Sequence, residues 1–261
     1  MEVLMRIGTY NVLGLRGYPP AEAEKDIGDR LSETAAQHFV NVFNELDCDI
    51  LALQEGVPFP QIQRVAHAIG QDLATFPSPI SWPGHLLTRY PIIESRMFSH
   101  TTPDASDCPL SRTAGAALLQ VSDQAKLWVV VIHFHPSRRE LRDREADILR
   151  ERIQGLMPIT DLMVVLGDFN SRVDEQIHQH LKAMGFANAM ESVGGGIQAT
   201  IDTFGKGTHS IDHIYVSEPL TPYLTSAQVI RRKGFRHDGP EAPGLWVHSD
   251  HLPVIADLDF G

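Results

Sequence analysis

Two residues that can hold a water, Asp168 and Asn170, follow an apolar run in Val164-Val165-Leu166-Gly167-Asp168-Phe169-Asn170. A buried strand produces such a run. If the chain stays extended through Asn170, both polar side chains point to one side, because side chains alternate with period two. A carboxylate and a carboxamide so placed can position a metal-bound water, and sheet ends are where α/β enzymes place their chemistry. The competing reading is a strand followed by an Asx turn, since Asp-x-Asn is common in turns.

The same kind of ending recurs along the chain. Apolar runs deliver Asn11, Glu55 and His133, and Asp250 with His251 stands just before another run. Asp212 and His213 sit inside Ser210-Ile211-Asp212-His213-Ile214-Tyr215-Val216. Burying an unpaired charge is costly, so carboxylates repeated at strand ends require a partner, and a divalent cation meets that need. Glu55 and Asn11 offer hard oxygen ligands of the kind that magnesium or manganese prefers. Taken singly, each residue has a plainer use: Asn11 as a turn former, Glu55 as a helix cap, His133 and His135 as solvent-facing strand residues, His251 as a packing residue. Zinc would need a tighter His/Cys set. His178 and His180 lack the helical ligand spacing and read as surface.

The elements that must position these residues follow from periodicity and turn chemistry. Strands are expected at Ile7–Val12, Ile50–Leu53, Leu86–Thr88, Ile92–Met97, Ala114–Val121, Leu127–Phe134, Met163–Leu166, Ile211–Val216 and Pro253–Leu258. From Asp29, the positions Leu31, Ala35, Phe39, Val42, Phe43 and Leu46 follow helical spacing. Val65–Ile69 closes another helix. Arg138–Leu156 is a charged helix with Leu141, Ile148, Leu149, Ile153 and Leu156 on its apolar face, and Asp174–Met184 is a further helix. Leu13–Pro20 is a Gly/Pro-rich loop, Thr101–Pro109 a polar one, and Lys233–Ser249 a long loop of the kind that tends to be functional. Several strand pairs succeed each other without a helix between them, which predicts sheets of mixed direction with helices outside. No repeat of fixed period and no linker is visible, so residues 1–261 are expected to form one domain.

Composition narrows the class. The chain has 261 residues, 43% of them apolar, enough for one large core. No stretch is long and apolar enough to span a bilayer, and the first residues do not read as a secretory signal. Two cysteines, Cys48 and Cys108, form neither a disulfide framework nor a metal pair, which points to a reducing cytoplasm. A net charge of −11 argues against a dedicated duplex-binding surface, although a local basic patch can override it.

Six motifs then occur in a fixed order: Thr9-Tyr10-Asn11-Val12, Leu53-Gln54-Glu55, Ile132-His133-Phe134, Gly167-Asp168-Phe169-Asn170, Ser210-Ile211-Asp212-His213-Ile214 and Ser249-Asp250-His251-Leu252-Pro253-Val254. In these, and in Thr88-Arg89-Tyr90-Pro91-Ile92, the chain resembles the endonuclease/exonuclease/phosphatase superfamily over about residues 7 to 257. The resemblance implies a four-layered α/β sandwich with two central mixed β-sheets flanked by helices, and magnesium-dependent hydrolysis of phosphate esters. It implies Glu55 as principal metal ligand, Asn11 near the metal and Asp250 as a second metal-side ligand. Asp168 and Asn170 would position the attacking water and contact the phosphate. His251 would be the catalytic histidine with Asp212 as its orienting carboxylate, and His133 a hydrogen-bond donor to the phosphate. The family often has Thr where this chain has Ile132, and His135 stands nearby as the other choice.

Substrate is less constrained, because one fold hosts many. Arg112, in Ser111-Arg112-Thr113, is a candidate substrate contact. The arginines of Arg138–Leu156 interleave with acids and read as a solvated helix with i,i+4 pairs. Arg231-Arg232-Lys233-Gly234-Phe235-Arg236 is a cleaner basic cluster, either a phosphate contact or a solvated loop. Asn11-Val12-Leu13-Gly14-Leu15-Arg16 is similar to the abasic endonucleases' Asn-Val-Asn-Gly-Leu-Arg except at Leu13. A compact acidic chain favours a small or lipid-derived phosphoester, with a nuclease as the alternative. A non-catalytic binding module on the same fold is the third reading, opposed by the intact set of Glu55, Asp168, Asn170, Asp212 and His251.

Overall fold

The structure is a computed structural model, and it describes residues 4–100, 110–205, 207, 209–237 and 245–261. In chain order the elements are β1 (Leu4–Asn11), α1 (Pro20–Ile27), α2 (Glu33–Leu46), β2 (Ile50–Gln54), α3 (Phe59–Ala68), β3 (Asp72–Phe76), β4 (Gly84–Thr88), β5 (Ile92–Met97), β6 (Ala114–Gln120), β7 (Lys126–His133), α4 (Arg139–Leu156), β8 (Met163–Asp168), α5 (Gln176–Ala183), β9 (Ala187–Asn188), α6 (Ala189–Ser192), β10 (Asp212–Val216), β11 (Leu224–Val229) and β12 (Val254–Asp259). The expected polar loop Thr101–Pro109, with Cys108, lies outside the described residues, as does part of Lys233–Ser249.

Two six-stranded sheets form, in the orders β11-β12-β1-β2-β4-β3 and β5-β6-β7-β8-β10-β9. Each sheet has one parallel pair at its centre, β1 with β2 and β7 with β8, and its other pairs are antiparallel. A parallel pair needs a crossover connection, and α1–α2 and α4 supply the two. The strand runs are apolar throughout because both faces are buried. Val129 and Val131 of β7, and Val164 and Leu166 of β8, enter the core shared with the first sheet. Their neighbours Trp128, Val130, Met163 and Val165 pack on the outer side with Leu149 and Ile153 of α4 and Ile177 and Leu181 of α5. The result is the expected four-layered α/β sandwich.

Local chemistry sets the helix limits. Ser32 caps α2 by accepting from Ala35 N at 3.0 Å, and Asp47 ends it in the left-handed region. Five elements escaped the sequence reading: α1, which begins at Pro20 directly behind Pro19, the edge strands β3, β9 and β11, and the short helix α6. The helix predicted as solvated, Arg138–Leu156, does carry surface pairs such as Arg139–Asp143 and Arg150–Asp147. It also buries Arg142 against Glu175, whose two oxygens take Nε and an Nη at 2.9 Å. Among the described residues, no helix is long and apolar enough to cross a membrane.

Buried histidines make the fold sensitive to acid. His85 on β4 is buried, with Nε2 3.0 Å from Val57 O and Nδ1 3.0 Å from Thr75 Oγ1. The carbonyl can only accept, so Nε2 carries the proton and Nδ1 accepts from the hydroxyl. Burial lowers His85 from the ordinary 6.5 to about 4, against the opposing pull of the Val57 bond. Between those values the unfolded chain binds a proton that the folded chain does not. Stability present above pH 6.5 is therefore lost as pH falls toward about 4. His85 alone should cost on the order of 2 kcal/mol by pH 5. Urea denaturation at pH 7.5 and pH 5 checks this, and His85→Gln should show a smaller decline between the two.

Candidate active site

Strand register brings the first three residues together. His133 pairs with Asp168 across β7/β8, and Asp168 pairs with Asp212 across β8/β10. His133–Asp168–Asp212 is thus a row at one end of the second sheet. By period two, these residues share the face of Val131, Leu166 and Ile214, which is the face turned toward the first sheet. From that sheet, Asn11 Nδ2 donates to Asp168 Oδ2 at 3.1 Å. Glu55, next after β2, places Oε1 4.0 Å from His133 Nε2, which is itself 3.6 Å from Asp168 Oδ2. The segment before β12 completes the group. Ser249 Oγ donates to Asn11 O at 2.7 Å, and His251 sets Nδ1 2.9 Å from Asp212 Oδ2 and Nε2 3.9 Å from Asp168 Oδ2. Ser249, part of the Ser-Asp-His motif, is the tie that fixes this segment to the end of β1.

The turns that present these residues are strained. Glu55 and Asn170 have φ of 50° and 48°, and Leu13 and Leu15 have φ of 46° and 57°. Non-glycine residues held in this region cluster at functional sites. Asn170 departs from the extended path on which it would share a side with Asp168. The strand ends at Asp168, whose Oδ1 accepts from Asn170 N at 2.9 Å, so the Asx turn forms. Asn170 Nδ2 donates to Phe134 O at 3.0 Å and keeps a second N–H. Asn11, for its part, uses its carbonyl oxygen on Leu13 N and its NH2 on Asp168. It therefore orients Asp168 beside the place where a cation would sit. Of the two nearby histidines, His133 lies in the row, while His135 Nδ1 accepts from Ser137 N and Arg138 N in a turn.

The two site histidines are driven to opposite states. Burial lowers His133 to about 4; Asp168 pulls it back, and the charges of Arg112 and His251 push the same way as burial. Burial also opposes charge on His251, but Asp212, by charge and hydrogen bond, together with Asp168 and Asp250, raises it to about 10. At neutral pH His133 is an uncharged donor and His251 an imidazolium. Burial and the charge of Asp212 raise Asp168. Burial, Asp250 and Asp168 raise Glu55, against His251 and Asn11. These shifts record burial first and crowded negative charge second, and His251 only partly offsets them. Buried Asp212 Oδ1 and His133 Nδ1 add polar atoms without a partner among the described residues. This donor set fits a divalent cation. Atoms of Asp168, Asp212 and His251 lie within 4.8 Å of one another, but the last two are engaged with each other. Glu55, with 24% of its side chain exposed, would be better placed as first ligand for a hydrated ion.

Arg112 is half-buried beside His133. Next to Asp212, a cavity of about 420 Å³ is lined by Arg172, Val173, Ile197, His209, Ser210 and Ile211. The basic cluster is not an open anion site: Arg231 donates to Gln198 Oε1 and Ala199 O, Arg232 to Glu45, and Arg236 lies 3.7 Å from Asp202. His178 is a correction. It is buried, with Nε2 2.9 Å from Ser171 Oγ and Nδ1 2.8 Å from Tyr215 Oη, and it stacks on Phe169. His180 is 18% exposed and pairs with Asp147.

A carboxylate row with an Asp–His dyad at the mouth of two facing mixed sheets defines the class of phosphate-ester hydrolase folds related to DNase I. The model of the Endonuclease/Exonuclease/phosphatase family matches residues 8–232, and the chain belongs to that family. Solved structures share the fold. A variant of the Neisseria 3′ phosphatase NExo, bound to a product DNA hairpin, superposes with a TM-score of 0.71 at 19% identity, covering 98% of this chain and 100% of that one. Truncated Caenorhabditis elegans TDP2 gives 0.70 at 17% identity, covering 98% and 97%. The mannosyl-6-phosphatase Bt3783 of Bacteroides thetaiotaomicron gives 0.67 at 17% identity, covering 97% and 98%. No curated protein matches the sequence.

Gly167 makes the row possible. At φ 148°, a Cβ on it would stand 1.9 Å from Ile132 O in the adjacent parallel strand. Backbone must move to admit a methyl group. Gly167→Ala should cost about 1–3 kcal/mol by overpacking, read as a lower urea midpoint.

Proposed function

We propose that the protein is a magnesium-dependent phosphoester hydrolase, with manganese able to substitute, acting by in-line attack of water on phosphorus. The observation that carries this reading is the convergence of Glu55, His133, Asp168 and the Asp212–His251 dyad at one sheet end. Glu55 and Asp250 would hold the ion, with Asn11 beside it; when bound, it neutralises phosphate charge and steadies the leaving oxygen. Asp168 orients the attacking water and takes up its proton. Its Oδ2 is fixed by Asn11 and faces both histidines. The His251 imidazolium, held by Asp212, donates from Nε2 to a phosphate oxygen, and neutral His133 donates from its own Nε2. Asn170 offers its remaining N–H to the phosphate, and Arg112 adds a charge at the rim.

A small or lipid-derived ester is the favoured substrate. The cavity beside Asp212 suits an organic alcohol group, the net charge is −11, and the arginines of the 231–236 cluster are bound to the protein's own acceptors. The NExo structure, which holds a product DNA hairpin, keeps a nuclease as the second reading.

Purified protein should hydrolyse bis-p-nitrophenyl phosphate or p-nitrophenyl phosphate only with added magnesium or manganese. His251→Ala should lower turnover by about 10²–10⁴-fold, and Glu55→Gln should raise the metal concentration needed. Supercoiled plasmid and an abasic duplex are assayed in parallel. Cutting by the native protein but not by His251→Ala would move the assignment to nuclease. Turnover unaffected by chelator, or within tenfold of native after His251→Ala, would overturn the mechanism.

A further inference from the structure

Trp82 stands at the rim of the site with two arginines on it. The Arg16 guanidinium lies 5.3 Å from its ring centroid and that of Arg30 lies 5.8 Å away. The chain around it is tied to the site on both sides. Gly14 N donates to Glu55 O at 2.7 Å, Gly56 N to Pro83 O at 2.8 Å, and Thr113 Oγ1, next to Arg112, to Trp82 O at 3.2 Å. Gly14 admits the cluster: a Cβ there would lie 2.9 Å from Trp82 Cζ3 and 3.2 Å from Arg30 Nη1.

Burial without a charge partner sets these arginines apart. Arg6, Arg89, Arg142, Arg231, Arg232 and Arg236 all pair with carboxylates, and Arg64, Arg138, Arg144 and Arg152, which show no such pair among the described residues, are exposed. Arg16 and Arg30 pair with none among the described residues, in a chain of net charge −11. Both are half-buried, so their charge is partly desolvated. Glu24 and Asp29 line the same cavity of about 230 Å³ with them, yet stay exposed and unpaired to either. Attraction to an aromatic face holds a guanidinium without a carboxylate and so leaves N–H donors for another acceptor. A planar fork of free donors matches a phosphate.

The geometry points to a second anion subsite, built from Arg16, Trp82 and Arg30, that binds a phosphate group other than the one being hydrolysed. The preferred substrate is then a phosphoester carrying a second phosphate. This rests on the phosphoester reading for what occupies the reaction centre, but the subsite itself can be read without turnover. A bisphosphorylated small molecule and the neighbouring phosphate of a short oligonucleotide present the same chemistry.

The test begins with metal-free protein. Pyrophosphate is titrated by calorimetry in the presence of EDTA, with orthophosphate as control. Arg16→Met/Arg30→Met should weaken pyrophosphate binding at least tenfold, and His251→Ala far less. Arg30→Met alone, or Trp82→Phe, serves if the double variant does not fold. No binding to the native protein, or equal binding to the variants, overturns the subsite even if hydrolysis is never seen. With magnesium, a hexose bisphosphate is compared with its monophosphate, and a 5′-phosphorylated dinucleotide with the unphosphorylated one. In the arm holding the true substrate, kcat/KM for the two-phosphate compound should fall at least tenfold in the double variant. The partner lacking that phosphate should stay within threefold. Equal loss on both, or none, refutes the subsite while leaving the hydrolase reading intact. Failure of the native protein on every ester, with pyrophosphate binding still lost in the variant, refutes the hydrolase reading alone.

Discussion

The constraint on which the rest depends is the burial of Asp168 beside Asp212. Register places the two carboxylates on adjacent strands of one sheet, where their charges oppose one another and water cannot screen them. His251 is the partner that makes this tolerable, and it comes from a distant part of the chain. It hydrogen-bonds one carboxylate and lies near the other, and both hold its proton. The site and the fold therefore stabilise each other: the segment before β12 is held partly by the charge it brings, and the charge is tolerable only because that segment docks. Asn11 performs the matching task from the first sheet by donating to Asp168, so the two sheets are joined at this end by polar bonds and elsewhere by apolar packing.

Behind the row, the turn after β8 is held at every residue. Phe169 N donates to Ile211 O, Asn170 to Asp168 and Phe134, Ser171 bonds His178, and Arg172 N donates to Glu175. Glu175 is in turn clamped by buried Arg142 of α4. A left-handed asparagine costs about 1–3 kcal/mol, and this density of bonds is what keeps it there. The geometry available for chemistry is thus over-determined by residues that never approach a substrate.

Much of this was legible in the sequence because strands buried on both faces write themselves as apolar runs, and their polar ends stand out. The fold class and the residues assembled at the sheet ends follow from that contrast and from the order of the motifs. What escaped had a common cause. β3 and β11 are edge strands with alternating exposure, so their runs are short and mixed. The burial of His178 depends on Ser171 and on Tyr215, thirty-seven positions away, and that of Arg142 on Glu175, thirty-three away. A histidine or arginine carries no mark of whether such a partner exists. The Asx turn at Asp168 turned on one backbone angle that period-two reasoning cannot supply.

The electrostatic layout gives the site a direction. Negative charge is concentrated at the bottom, in Glu55, Asp168, Asp212 and Asp250, where a cation fits. Three positive groups without carboxylate partners among the described residues, Arg112, Arg16 and Arg30, stand along one flank of the rim. A phosphate entering such a field is drawn by the rim, while the carboxylates below repel it unless a cation is bound. Net charge describes neither layer, because a chain of −11 can still present a cationic edge where its arginines lie over a ring instead of pairing with carboxylates. On the proposed function, binding of an anionic substrate would be coupled to loading of the ion: the rim would hold the phosphate at the entrance, and only the loaded site would accept it at the depth of Asp168 and His251.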